Sequence, residues 1–300
     1  MPSIAIAWFR RDLRLHDHPA LAAAMEAADV VVPVFVFDER LLAGRFASAN
    51  RAWFMRESVA SLARDLADRG APLRILSGRP EELVPELARE VGARDVFVSR
   101  DGAPYGRRRD RLVAERLAAD GRSLRAKRGL YVHEPDELLT QDGGPFTVYS
   151  PFRRAWEARD RRAVLQAPDR IPGAARTRTG QAPSPDPLPE VPPPTADAAL
   201  IPAPGEAAAR QRLERWLEGG VDAYADARNR LDREGTSRLS QDLRWGLLSP
   251  LEVVERAAGA GEGRRVFVSE VAWRDFYAHV LWHHPRVLRE PFQEAFATLA

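Results

Sequence analysis

The chain has 300 residues, 45% hydrophobic and 29% charged, which is enough for one large domain or two ordinary ones with a buried core. No apolar run approaches the roughly 20 residues that span a bilayer, and a net charge of +2 is too small to argue for nucleic acid by itself. Zero cysteines exclude disulfides, thiolate chemistry and cysteine-ligated metals.

The N-terminus, MPSIAIAWFRRD, lacks the basic, apolar and small-residue regions of a secretory signal, so a cytoplasmic location is expected. Short apolar runs then alternate with amphipathic segments. IAIAWF (4–9), VVVPVFVF (30–37), LRIL (73–76) and DVFVS (95–99) read as strands, with helices expected near 18–28, 49–69, 80–92 and 106–120. Continuous β-branched runs separated by helices specify a parallel sheet covered on both faces. The fold class is therefore α/β, a doubly wound parallel sheet whose ligand crevice lies beyond the carboxyl ends of its strands.

No G-x-G-x-x-G follows the first strand. WFRRDLRLHDHPAL stands there instead, and its charges read as a solvated loop with local ion pairs. DGAPYGRRRDRLVAERL (101–117) holds four arginines within five residues, Arg107 to Arg109 and Arg111, and reads as a solvated helix start rather than a nucleic-acid patch. Apart from Lys127 every basic residue is Arg, which suits phosphate but also follows from the same bias that makes the chain rich in Ala.

From about Gln166 to Pro204 the composition turns Pro-rich, as in an extended linker, and beyond it the sequence is helical throughout. The organisation expected is an α/β unit over 1–130, a connecting segment over 131–204 and an all-α unit over 205–300. Within the last, Thr236, Ser237 and Ser240 surround a helix start beside Gly235. Hydroxyls and free N–H groups there suit a phosphate, although an ordinary N-cap needs only one of them. His279 and His283 are four apart on one helix, but with no third ligand a metal is not expected; packing near the helix end is. In SEVAWRDFYAHVLWHHP (269–285), Glu270, Trp273, Arg274 and Tyr277 fall at i, i+3, i+4 and i+7, one helical face that is costly to bury without partners.

Taken in order, AIAWFRRDLRLHDHPAL, EGTSRLSQDLRWGLLSP and SEVAWRDFYAHVLWHHP resemble three motifs of the DNA photolyase/cryptochrome flavoprotein family. The resemblance implies a Rossmann-like antenna domain followed by a helical FAD-binding domain. It assigns Tyr224, Thr236, Ser237, Leu239 and Ser240 to the flavin's phosphates and ribityl region. Glu270, Trp273, Arg274 and Tyr277 become the helix between flavin and lesion, with Glu270, Trp273 and Arg274 catalytic. In that role Trp273 stacks an extruded base. Glu270, neutral if buried beside an aromatic, holds a pyrimidine edge. Arg274 pairs with Glu270 or reaches a phosphate.

The partner implied is UV-damaged DNA, the cofactors FAD and a deazaflavin or folate antenna, and the molecule a monomer. The reaction implied is light-driven splitting of cyclobutane pyrimidine dimers; a cryptochrome-like blue-light receptor and a stand-alone antenna module are the alternatives. Family members continue well over a hundred residues past EPFQEAFATLA. The expectation is therefore an incomplete FAD-binding domain with weak flavin retention, exposed apolar surface and no repair activity as it stands.

Overall fold

The computed structural model describes residues 2–44, 47–173, 186–197 and 200–296. Among these, β1 (Ile4–Phe9), β2 (Val30–Asp38), β3 (Arg74–Gly78), β4 (Asp95–Ser99) and β5 (Ser123–Lys127) form one sheet in the order β3-β2-β1-β4-β5, every pair parallel. The first four coincide with the apolar runs. SLRAK, the fifth, has no such run: it is an edge strand, half-exposed to exposed along its length, and its side chains gain little from burial.

The helices are α1 (Pro19–Ala27), α2 (Glu39–Leu42), α3 (Ala49–Asp68), α4 (Pro80–Val91), α5 (Pro104–Ala119), α6 (Tyr149–Ala158), α7 (Glu206–Arg215), α8 (Tyr224–Ala227), α9 (Ser240–Trp245), α10 (Pro250–Ala257) and α11 (Glu262–His283). Alternate strand residues point to opposite faces, and two cores follow. Ile6, Trp8, Val34, Val36, Val96 and Val98 pack with Val84, Leu87, Val113 and Leu117 of α4 and α5. On the other face Ala5, Ala7, Phe9, Phe35 and Phe97 pack with α1 and α3, in a cluster that continues into the helical part through Leu213, Leu248, Val254 and Phe276. Pro33 is tolerated inside β2 because β3 pairs with β2 only from Val34 onward, so that flank carries no ladder at Pro33.

The loop after β1 corrects the sequence reading. Arg10, Asp12, Arg14, Asp17 and His18 are buried, not solvated. Arg14 spends its guanidinium on backbone oxygens: Nε on His16 (2.9 Å), Nη1 on Gly246 (3.1 Å), and Nη2 on Asp17 (2.8 Å) and Gly129 (2.7 Å). Burial pushes the Asp12 carboxyl up, but the His18 imidazole and hydrogen bonds from His18, Ser99 and the Arg10 amide hold it well below its ordinary value. Glu206, at the start of α7, accepts the amides of Leu15 (2.7 Å) and His16 (3.0 Å). The loop is thus the polar joint between the sheet and the helical part. Gly246 (φ +67°) meets it so closely that a Cβ would lie 2.0 Å from the Arg11 carbonyl oxygen.

The Pro-rich segment carries no strand or α-helix where it is described, residues 174–185 and 198–199 lying outside the described residues. It is tied to the sheet unit: Ile171 is buried, the Pro172 carbonyl accepts from Val31, and Asp186 accepts from Arg74 and the Ile75 amide. Helix α6, which the sequence reading leaves within the connecting segment, packs on α11 through Phe152 and Trp156.

Candidate flavin and lesion site

Two cavities meet at the joint. The larger, about 1290 Å³, is lined by Tyr224, Thr236, Ser237, Leu239 and Ser240, by Phe267, Glu270, Val271 and Arg274 of α11, and by Arg212, Arg215, Arg238 and Gln241. Segments more than 60 residues apart, Arg212 and Arg274 among them, are therefore brought around one space. Gly235 is needed here, since a Cβ would stand 2.1 Å from the Ala227 carbonyl oxygen. That close approach sets the TSRLS turn against α8.

The turn does not cap its helix in the ordinary way. Leu239, buried, occupies the N-cap of α9, and no side chain caps it. The hydroxyls of Thr236, Ser237 and Ser240 line the cavity without a hydrogen-bond partner among the described residues. Hydroxyls left open on a wall shared with Arg215 form a donor set that suits phosphate and sugar oxygens, whereas Arg212 is spent on Asp242 and the Ala203 carbonyl and Arg238 pairs with Glu234. Tyr224 closes the floor in an edge-to-face cluster with Trp216 and Phe267, ring centroids 5.5–5.6 Å apart.

On α11 the face toward the cavity is Phe267, Glu270, Val271 and Arg274, which are three to four residues apart. Trp273 and Tyr277 do not line it. Trp273 is half-buried against α6, stacked on Tyr149 with centroids 3.6 Å apart and planes 10° apart, and Tyr277 is 65% exposed beside it. The structure thus divides the four residues between two adjoining faces. The sequence signal that places this boundary is Phe267, three residues before Glu270: α11 begins at Glu262, seven residues before the motif.

Glu270 is paired with Arg228, whose guanidinium also lies 5.4 Å over the Tyr224 ring. The apolar surroundings expected of Glu270 are not the ones it meets. Arg274 does not pair with Glu270: it donates to the Leu130 carbonyl (2.8 Å) and lies 5.3 Å over the Tyr131 ring, tying α11 to the sheet unit. Burial lowers its pKa, an effect that Asp275 partly offsets.

The smaller cavity, about 370 Å³, opens at the carboxyl ends of β1, β2 and β4, where the strand order reverses. Trp8, Asp38, Met55, Asp101, Tyr105 and Arg109 line it, and Arg11 and Arg244 line both cavities. The reading of 101–117 as a solvated helix start holds for Arg107, Arg108 and Arg111, which are exposed, and is corrected at Arg109. Arg109 is buried, with its guanidinium 5.2 Å over Trp8, and the Tyr105 hydroxyl donates to Asp38. Burial pushes Asp101 up, but Arg11, Arg10 and Arg109 outweigh it and hold the carboxyl down. Gly106 makes room for it, as a Cβ would come within 2.3 Å of the Asp101 carboxyl carbon. Burial, with Arg11 next to it, brings Arg244 down to about 10.

His279 packs rather than ligates: Nδ1 donates to the Pro135 carbonyl (2.7 Å) and Nε2 accepts the Phe146 amide (2.9 Å), which fixes a neutral ring whose pKa burial lowers. Among the described residues no group of three or more His, Asp or Glu side chains could hold a metal ion, and no helix is long and apolar enough to cross a membrane.

The family model described as DNA photolyase matches residues 5–172. Deoxyribodipyrimidine photo-lyase of Thermus thermophilus is 38% identical over 297 residues, which cover 98% of this chain and 64% of that protein. An uncharacterized 31.6 kDa protein of Synechococcus sp. is 34% identical over 90% of this chain and 97% of its own length. Among solved structures, a bacterial class III photolyase from Agrobacterium tumefaciens superimposes with a TM-score of 0.88 at 30% identity, covering 100% of this chain and 63% of that one. The chain thus spans less than two thirds of the photolyases it matches.

Proposed function

Because the chain belongs to the DNA photolyase family, we propose that it serves light-driven repair of UV-damaged DNA. It supplies an antenna unit and the phosphate- and lesion-facing part of an FAD site, and the reaction is the carbon–carbon lyase splitting of cyclobutane pyrimidine dimers. One observation carries this reading: Tyr224, Thr236, Ser237, Leu239 and Ser240 surround the same cavity as Glu270 and Arg274, with three hydroxyls free of internal partners.

FAD, when bound, supplies a light-excitable electron donor for the dimer. The chain's own residues do the rest. Thr236, Ser237 and Ser240 donate to phosphate and ribityl oxygens, and Leu239 and Tyr224 exclude water behind them. Glu270, paired with Arg228, accepts a hydrogen bond from a pyrimidine N–H. Trp273, on the adjoining face, stacks a base swung out of the duplex, and Tyr277 extends that aromatic surface toward DNA. Arg274 is a positioning residue, fixing α11 through Leu130. The smaller cavity, with Trp8 and Tyr105 as flat walls and Arg11 and Arg244 at its inner side, takes the antenna chromophore, a planar deazaflavin or folate.

The test mixes the chain with FAD and a dimer-bearing or an undamaged oligonucleotide and measures retention of each. Weak, saturable flavin binding together with a preference for the dimer is the expected result. Flavin retained with equal affinity for both DNAs would overturn the repair reading and leave a flavin-binding light receptor.

A further inference from the structure

Tyr149 opens α6 and is held at two points on α11. Its ring lies flat on Trp273, 3.6 Å between centroids and 10° between planes. Its hydroxyl donates to the Ser269 carbonyl (2.8 Å) and lies 2.7 Å from Ser269 Oγ. Ser269 precedes Trp273 by one helical turn, so Tyr149 runs along α11 from a polar anchor to an aromatic one. Phe276 closes the group from below, edge-on to Tyr149 (5.7 Å) and to Trp273 (5.6 Å), and Phe152 supports Phe276 at 5.2 Å.

An indole at a half-open surface has several rotamers open to it, and only a backing group selects one. Trp273 has such a backing in Tyr149, and no other ring lies as close, the next being Phe276 and exposed Tyr277, each at 5.6 Å. A base can stack on a ring only if the ring stays in one plane when its solvent-facing side is vacated. The residue that keeps it there comes from a different helix, 124 positions earlier in the chain.

We infer that Tyr149 is the positioning residue for Trp273, setting the plane on which a damaged pyrimidine stacks and so the preference for damaged over undamaged DNA. The inference rests on the lesion-facing reading of Trp273 given above. Tyr149 touches neither flavin nor base in this account; it acts through the indole. Its hydroxyl fixes the ring's height on α11, and its flat face fixes the indole's tilt.

The experiment measures the ratio of affinities for a dimer-bearing and an undamaged oligonucleotide in five forms of the full chain: parent, Trp273→Ala, Tyr149→Ala, Tyr149→Leu and Tyr149→Phe. Thermal midpoints are read in parallel. Trp273→Ala is expected to bring the ratio close to one. Tyr149→Leu, which keeps bulk without a flat ring, is expected to lower the ratio about fivefold. Tyr149→Phe, which keeps the stack and gives up only the Ser269 contact, is expected to lower it less than about twofold. Should Tyr149→Ala fail to fold, the Leu and Phe forms decide. A ratio that falls in Trp273→Ala but is unchanged in Tyr149→Leu overturns the positioning role while leaving the lesion-facing reading intact. A ratio near one in the parent, or unchanged in Trp273→Ala, overturns that reading and the positioning role with it. Equal losses in the Phe and Leu forms would show that the stack is not what sets the plane.

Discussion

The Trp156 indole Nε1 donates a 3.0 Å hydrogen bond to the Asp275 carboxylate, and the same oxygen accepts the amides of Val132 (2.9 Å) and His133 (3.3 Å). One buried carboxylate thus gathers α6, α11 and the loop that leaves the sheet unit. Burial raises the Asp275 pKa to about 6, although Arg274 and these three donors pull it down. Removing the acceptor leaves three buried donors unanswered. Asp275→Ala is expected to cost on the order of 3 kcal/mol in urea unfolding; a loss below about 1 kcal/mol would show that the junction does not depend on this group.

Glu134 makes the junction lose stability as the pH rises from acid towards neutral. Its carboxylate oxygens are buried without a hydrogen-bond partner among the described residues, and burial raises its pKa from 4.5 to about 8, with Glu137, Asp275 and Asp136 adding to the rise and Arg100 opposing it. The folded state therefore keeps a proton that the unfolded chain gives up near 4.5. Stability from this group is present below that pH, falls as pH rises through the window to about 8, and is flat beyond it. Glu134→Gln, neutral at every pH, should gain on the parent by up to a few kcal/mol between pH 5 and 8. A difference between the two that does not change with pH would contradict this.

Gly246 is fixed by both conformation and space. At φ +67° and with a Cβ 2.0 Å from the Arg11 carbonyl oxygen, Gly246→Ala must strain the turn and push the TSRLS helix away from the loop after β1. A loss of about 2–4 kcal/mol is expected in thermal or urea unfolding. A loss below 1 kcal/mol would mean that the two units are not in close contact there.

Arg228 and Glu270 are about one-third exposed, so their pairing is expected to add little to stability. Arg228→Ala should shift the unfolding free energy by less than about 1 kcal/mol while leaving Glu270 free to swing. The effect belongs to recognition: affinity for dimer-bearing DNA should fall more than the fold's stability does. Equal affinity in parent and variant would show that Glu270 needs no such holder.

The two halves of the fold were unequally legible in the sequence, for a physical reason. Three strands announce themselves because each is buried on both faces and must be nearly apolar throughout, as in IAIAWF, while β3, an edge strand, shows only through the short run LRIL. SLRAK is an edge strand, and nothing forces its side chains to be apolar. The loop after β1 misleads because its charges are satisfied by backbone oxygens far away in sequence, Gly129 and Gly246 for Arg14, and no local pattern records such partners. Helix α6 escapes for a related reason: Pro151 stands in its first turn, and the surface it buries belongs to α11. At the site, spacing places Glu270, Trp273, Arg274 and Tyr277 on one broad face. Where the cavity edge divides that face depends on Phe267 and on Tyr149, one before the motif and one on another helix.

The central claim is that the free hydroxyls around the larger cavity hold the phosphate and ribityl part of a flavin nucleotide. Equilibrium dialysis of the chain against FAD, compared with the double variant Ser237→Ala, Ser240→Ala, tests it most directly. The account predicts saturable binding of one FAD per chain, weakened about tenfold or more in the variant with its thermal midpoint unchanged. No saturable binding, or the same affinity in both proteins, would contradict it.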